Sequence, residues 1–492
     1  EPGTRGEGDA VASATISPTA HLHRGLPGVL AAVFVVASGF MAMASAPPVR
    51  PSPSASPSST MELRARGVMS VPTAVGEGDG EGAASTPGDD STGPSASSLR
   101  HWHDLLGSEP HVAGTPGDAR QIERLVRAFE AMGLETEVHE FHPLLAKPVH
   151  ASLEIVARPG DTADEIAPDG DTRPGAEANR EVALARHPDR RGVIPLGLRE
   201  RNMLNDPATA HPDLSWGWNA YSASGAIEAE IVYANLARRE DFESLRAAGV
   251  DVRGKIVLAR YGGLFRGSKA RFAEEAGAAG LLLFLDPGDV GDRRGPTYPE
   301  GGWANDTCIQ RGSVLSLGYP GDPLTPGFEA TIDAPRLEPA DVALPRILVQ
   351  PIGYAAAAEL FLNMRGAVAP EAWQGGLPLP YRLEGGPALR VRLVVEQDLE
   401  ITRTANVLAT LRGASHPEEF VVVGCHHDAW GFGAADPLAG TIVLMECART
   451  FAEAAARGDR PARTILFAAW GAEEFGIIGS TEWVEANRRQ LE

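Results

Sequence analysis

The chain has 492 residues, too many for one hydrophobic core, so several folding units are expected. Its apolar content of 43% suits globular protein, and its formal charge of −21 excludes a nucleic-acid binder, since a phosphate backbone would be repelled. Cys308, Cys425 and Cys447 are too few and too scattered for a disulfide framework or a thiolate zinc site, and Cys425 and Cys447 read as small core residues.

In chain order, a basic flank at His21–Arg24 precedes an apolar run from Leu26 to Ala46 that ends in Ala44-Ser45-Ala46. These are the marks of a secretory signal peptide, although roughly 20 apolar residues are also enough to span a bilayer as an uncleaved anchor. From Pro47 to Ser98 the chain is Pro, Ser, Gly, Ala and acidic residues, which cannot bury enough surface to offset their ordering entropy; this reads as a disordered tether. Order is expected from Leu99. Ile122, Leu125, Val126, Phe129 and Met132 fall at helical spacing, Gly133 closes that helix, and Glu135–Phe141 alternate like a strand. A polar stretch over Arg158–Pro195 reads as a loop excursion. Between Ala226 and Gly366 strands and helices alternate: Ile231–Tyr233, Ile256–Ala259 and Leu281–Leu285 as strands, Lys269–Ala279 as a helix. Beyond Leu389, strands Phe420–Val423 and Thr464–Ala469 are joined by a helix over Leu438–Ala456, a strand–helix–strand unit of a parallel sheet.

Open parallel sheets bind ligands beyond the carboxyl ends of their strands. Two strands of the last block end in metal-type residues: His426-His427-Asp428 after one, Glu473-Glu474 after the other, with Asp436 before the intervening helix. Strand side chains alternate, so His426 and Asp428 point the same way, and a carboxylate beside an imidazole can fix its tautomer. Adjacent glutamates aim differently, so one can bind a metal while the other takes a proton from an activated water. Taken alone, a histidine at a strand end is more often a satisfied polar group, and a Glu-Glu pair more often a solvated helix start.

Gly424–Gly440 (GCHHDAWGFGAADPLAG) and Arg463–Trp483 (RTILFAAWGAEEFGIIGSTEW) resemble the glutamate carboxypeptidase II family of zinc peptidases, which also contains the transferrin receptors. The likeness continues through PHVAGTPG (Pro110–Gly117), GKIVLARYGGLFRG (Gly254–Gly267), QRGSVLSLGYPGDPLTPGF (Gln310–Phe328) and NVLATLRG (Asn406–Gly413), and so covers about Leu99 to Glu492. It implies an α/β zinc-exopeptidase fold: a mixed, mostly parallel sheet flanked by helices, with an inserted protease-associated (apical) domain. The organisation expected is leader or anchor 1–46, linker 47–98, first part of the peptidase domain 99–155, apical domain with its loop insertion 156–388, and peptidase domain from 389, incomplete at Glu492.

By that resemblance Asp436 bridges two zinc ions, His426 holds one and Glu474 the other, Glu473 is the general base, and Asp428 stands behind the histidine. His427 occupies the position of an arginine in the human enzyme and is read as a surface residue. The family's two further ligands, an aspartate and then a histidine, fall downstream of Glu492, as does its helical dimerisation domain. Three of five ligands are therefore present, and the polypeptide as given is expected to bind zinc weakly. The resemblance further assigns Arg260 to a substrate's terminal carboxylate, a task an Arg fork suits. Ser313 replaces a supporting asparagine, which weakens strict glutamate specificity. Glu482 and Glu485, with backbone oxygens of Thr325 and Phe328, match a structural calcium site. Asn305-Asp306-Thr307 is a glycosylation sequon by pattern only. The expected function is a zinc carboxypeptidase acting on peptides, exported or membrane-anchored with the peptidase domain outside, and a homodimer when complete. The alternatives are an aminopeptidase of the same catalytic fold and a non-catalytic transferrin-receptor-like protein.

Overall fold

The computed structural model describes residues 33–35, 93–156 and 193–491. Among these residues fourteen strands form: β1 (Val33–Val35), β2 (Glu135–Phe141), β3 (Leu144–Val156), β4 (Ile194–Leu196), β5 (Asn219–Ala220), β6 (Gly225–Tyr233), β7 (Ile256–Arg260), β8 (Gly280–Phe284), β9 (Gly312–Ser313), β10 (Leu348–Ile352), β11 (Arg390–Ile401), β12 (Thr404–Leu411), β13 (His416–His426) and β14 (Arg463–Trp470). One mixed sheet has the order β1-β13-β14-β12-β2, with β13 parallel to β14 and β12 antiparallel to both its neighbours. A seven-stranded sheet has the order β10-β8-β7-β6-β11-β3-β4, and β5 pairs with β9.

The first sheet is built as its sequence dictates. β14 is buried at every position after Arg463, consistent with a near-continuous apolar run in a central strand. The helix Leu438–Ala456 joins β13 to β14 and buries Leu444, Met445 and Ala448 against the sheet. On the same core lies the helix Pro116–Ala131, whose Ile122, Leu125 and Phe129 are buried at helical spacing. Thr115 caps its start, Pro116 occupies its first turn, and Gly133 at φ +77° turns the chain out of it. Each such large apolar side chain contributes about 1.5–3 kcal/mol by leaving water.

The seven-stranded sheet is the inserted unit. Long antiparallel strands β3 and β11 carry the chain out to it and back, and they also form part of its sheet, so that sheet reaches beyond 156–388 on both sides. Its parallel half, β10-β8-β7-β6, is fully buried along β7, β8 and β10. Helices start and stop a few residues from the sequence expectation: Arg266–Glu275 replaces Lys269–Ala279, and β8 is Gly280–Phe284. The tail of the predicted loop excursion is strand β4, and Ala96–Leu106 is a helix that starts inside the predicted tether. The remainder of that tether (47–92), residues 157–192, and the apolar run Leu26–Ala46 apart from β1 lie outside the described residues. β1 runs parallel to β13. No helix among the described residues is long and apolar enough to cross a membrane.

A third apolar cluster joins the two units. Trp218, Tyr221 and Leu315 of the insert pack against Phe475 and Ile478, and Trp430 stacks near Phe475 with ring centroids 4.8 Å apart. The helix that carries Glu473 and Glu474 is thereby wedged between the peptidase sheet and the insert.

Candidate metal centre

His426 is the last residue of β13, at the carboxyl edge of the sheet, where it is buried. Its Nε2 lies 3.0 Å from Asp436 Oδ1 and 3.9 Å from Glu473 Oε2. On the other side of the ring, Nδ1 is 3.1 Å from the Asp428 carbonyl oxygen and 3.6 Å from the Asp428 carboxylate. Nδ1 thus faces oxygen acceptors only, and Nε2 is turned to the acids. Asp428 does more than back the imidazole. Fully buried, its Oδ1 accepts from the Glu473 amide at 2.9 Å and its Oδ2 from the Glu474 amide at 3.2 Å, so one carboxylate ties both strand ends together.

The turn that presents the glutamates is tightly held. After β14, Ala472 adopts φ +53° and Ile477 φ +59°, flanking the short helix Glu473–Gly476 with two non-glycine residues in the left-handed region. Such a conformation costs roughly 1–2 kcal/mol per residue and persists only where surroundings over-determine it. Asn406 of β12 supplies that constraint: its Oδ1 accepts from Gly471 N and its Nδ2 donates to Gly479 O, at 2.9 and 2.8 Å. Gly479 must be glycine here, because a Cβ would stand 2.3 Å from Asn406 Oδ1.

The charges are unbalanced. Burial pushes the Glu474 carboxyl up to about 8, with the charges of Asp436 and Asp428 adding to the effect. Burial also raises Glu473, against the opposing pull of His426 and Arg266. Burial works against a charged His426, yet Asp428 and Asp436 together push it up to about 12. Four acids around one buried imidazole, Asp428 fully buried and Asp436 half-exposed, form a donor set that divalent cations relieve. Zinc–ligand bonds of about 2.0–2.1 Å place donor atoms roughly 3.3 Å apart in a tetrahedron, so the 3.0 Å between His426 and Asp436 suits a shared ion. The three donors among the described residues whose ligand atoms all lie within 4.8 Å of one another are His416, Glu418 and Glu419, at the opposite end of β13, where Glu419 pairs with Arg463.

One residue stands elsewhere than expected. His427 is not at the surface but fully buried, its Nε2 3.0 Å from the Ala405 carbonyl and its Nδ1 3.7 Å from Asp118. A residue following a strand-end ligand must face the opposite side of the sheet, and here that side is covered by the helix Pro116–Ala131. Burial pushes Asp118 up to about 6, and burial lowers nearby His111 to about 4. Arg260 ends β7 inside the insert, donating to Asn235 Oδ1 at 2.8 Å and facing Asp289 at 3.6 Å; neither partner belongs to the metal centre.

A second arginine, Arg266, lies in the same quoted segment and opens a helix of the insert. Its positive charge acts on Glu473, it lies beside the Tyr261 hydroxyl, and its buried Nε has no hydrogen-bond partner. Gly312, at φ +146°, leaves it room: a Cβ there would sit 2.2 Å from the guanidinium carbon. Ser313 joins this wall, donating to the Phe475 carbonyl at 3.0 Å. Farther along, Glu482 accepts from the Asp322 and Ala330 amides, and Glu485 from the Tyr319 hydroxyl and Gly327 amide, bracketing the loop that holds Thr325 and Phe328. Burial pushes Glu482 up to about 7. In the sequon, Asn305 is buried and its Oδ1 accepts from Thr307, an internal turn.

Residues 406–492 match Peptidase family M28 and residues 226–317 match the PA domain. Over 409 residues the chain is 35% identical to the mouse protein named Aminopeptidase NAALADL1, covering 79% of this chain and 50% of that one. It is 34% identical to the Caenorhabditis briggsae Glutamate carboxypeptidase 2 homolog, covering 79% and 48%, and 40% identical to human Transferrin receptor protein 2, covering 54% and 32%. The chain belongs to the glutamate carboxypeptidase and transferrin receptor family. It spans about half the length of the curated relatives of this family that it matches. Its PA domain match contains β6, β7 and β8 of the seven-stranded sheet, and its M28 match β12, β13 and β14 and their helices.

Proposed function

We propose that the complete protein is a zinc-dependent exopeptidase that removes a C-terminal residue, with the free carboxylate of its peptide substrate held by Arg266. The reading is supported by the charge of Arg266 acting on the half-buried Glu473, together with a buried Arg266 Nε that has no hydrogen-bond partner. His426, Asp436 and Glu474 would hold the zinc, with the remaining ligands expected from the complete protein. Bound zinc would supply Lewis acidity at the scissile carbonyl and to an attacking water. Glu473 takes the water's proton and passes it to the leaving amine. His426 is kept in its ligating orientation by Asp428, whose hydrogen bonds to the Glu473 and Glu474 amides fix the base and the ligand relative to the histidine.

The rodent relatives named as aminopeptidases favour a second reading, removal of an N-terminal residue by the same centre. A cation beside the base would repel the α-ammonium of such a substrate, whereas it attracts a carboxylate. A non-catalytic receptor role is disfavoured because His426, Asp436, Glu473 and Glu474 all stand together at the sheet edge. The substrate residue released is left open to acidic and other side chains by Ser313. Calcium at Glu482 and Glu485, export with the peptidase domain outside the cytoplasm, and dimerisation of the complete protein belong to the same proposal.

The test uses the complete protein with zinc and three dipeptide sets: unmodified, N-acylated and C-amidated. Cleavage of N-acylated but not C-amidated peptides is the expected outcome, and the reverse pattern would establish the aminopeptidase. Glu473→Gln should retain zinc and lose activity by several orders of magnitude; unchanged activity removes Glu473 as base.

A further inference from the structure

The segment Pro110–Asp118 makes contacts to the metal-bearing strand end that the proposed reaction does not use. His111 donates from its backbone to Gly431 O at 3.0 Å, and Ala429 donates back to His111 O at 3.2 Å, zipping this segment to the loop that follows Asp428. Asp118 is buried, and its Oδ2 accepts from the Gly114 amide at 2.9 Å and the Thr404 hydroxyl at 2.8 Å. Its Oδ1 has no hydrogen-bond partner and faces His427 Nδ1, also without one, at 3.7 Å. The His427 ring is anchored on its far side, where Nε2 meets the Ala405 carbonyl, and its amide donates to Trp470 O at 2.8 Å. Buried polar atoms left without partners cost about 1–3 kcal/mol each, so two facing each other beside a ligand call for a reason.

Geometry supplies one. His426 and His427 are consecutive at the end of β13 and face opposite sides of the sheet, so a rotation of one backbone unit turns both rings. The atom that fixes the rear ring therefore sets the aim of the front one. We propose that Asp118 and His427 act as a buried positioning couple, fixing from behind the sheet the orientation of His426 and of the Asp428 carboxylate at the metal centre. This rests on the zinc reading of that centre, not on which end of a peptide is cut.

The experiment compares Asp118→Asn, His427→Gln and the double variant in the complete, zinc-loaded protein. Asp118→Asn keeps an acceptor for Gly114 and Thr404 and so preserves the local fold, while removing the charge that faces His427. Each single variant should weaken zinc binding, read by chelator competition, by about 10- to 100-fold, and lower kcat more than it raises KM. The double variant should be no worse than about twofold beyond the weaker single, because the two residues act as one. His427→Arg, whose longer side chain can reach Asp118, should recover most of the affinity lost in His427→Gln. Unchanged zinc affinity with only a lowered melting temperature would overturn the couple, as would additive losses in the double variant. Because zinc affinity is read without substrate, a wild-type protein that binds zinc but cleaves no peptide would sink the peptidase reading alone.

Discussion

Replacing Asp428 by asparagine tests the central claim of the site, that one buried carboxylate organises both strand ends. The substitution is nearly isosteric, so packing is retained while the charge and one acceptor are lost. In the wild type the two oxygens take the Glu473 and Glu474 amides at 2.9 and 3.2 Å. An asparagine oxygen can keep one of them; its NH2 then confronts the other amide, a donor facing a donor at a fully buried position. Hydrogen bonds to a charged group contribute about 1.5–3 kcal/mol each, and a buried unsatisfied amide costs about 1–3 kcal/mol, so destabilisation of about 2–4 kcal/mol is expected from the lost bond and weakened remaining one. The freed turn also lets Glu474 and His426 wander relative to each other. Loss of such a supporting group lowers metal affinity or activity by about 10- to 100-fold. Chemical unfolding of the metal-free protein reads the first effect, and zinc competition against a chelator reads the second. If stability falls while zinc affinity stays at the wild-type value, Asp428 is a fold element only and its assignment to the metal centre is refuted.

Arg266→Ala should lower kcat/KM on peptides with a free C-terminus by at least about tenfold, the worth of one charge-assisted contact, and leave C-amidated peptides unaffected. Arg260→Ala should instead leave kcat/KM within about twofold and lower the melting temperature, because its partners Asn235 and Asp289 lie within the insert; equal kinetic losses in both variants would contradict the placement. Glu446, buried, works against desolvation, but its contacts to Arg449, Ser98 and the Ser95 amide hold its carboxyl down to about 2, below the ordinary 4.5. Its stabilising share, up to about 3 kcal/mol, is therefore complete above about pH 4.5 and fades as pH falls toward 2. Glu446→Gln should flatten that part of the stability–pH curve measured by denaturant unfolding. Added calcium should raise the melting temperature of the wild type and not of Glu482→Gln; a shift in neither removes calcium from Glu482 and Glu485.

Elements with a strong internal period were legible in the sequence, and so were the acids they carry. The helix Leu438–Ala456 and the strands on either side of it follow from apolar runs of helix and strand length, and those runs end where His426, Glu473 and Glu474 must emerge. What could not be read was anything decided by packing between units. Strand β4 is three residues whose pairing is decided by β3, not by its own pattern. His427 looked like a surface residue because local alternation gives a direction but not what lies there; the helix Pro116–Ala131, 286 positions upstream at the Asp118–Thr404 contact, covers that side.

The two arginines of the segment Gly254–Gly267 show the same limit most sharply. Arg260 ends a buried strand and Arg266 opens a helix, and either placement is compatible with reaching a substrate. The proposal for Arg266 draws on the close approach of Gly312 to its guanidinium and on the charge that this group places on Glu473. That approach depends on β9 pairing with β5 across 93 residues of chain and on Phe475 filling the space behind it. A residue that recognises the end of a peptide has to sit at the seam between the insert and the peptidase sheet, because the base belongs to one unit and the cation to the other. On the proposed reading, specificity is a property of the seam. Substitutions in its aromatic packing, at Trp218 or Trp430, are expected to move KM for free-carboxylate peptides without changing which side chain takes the proton.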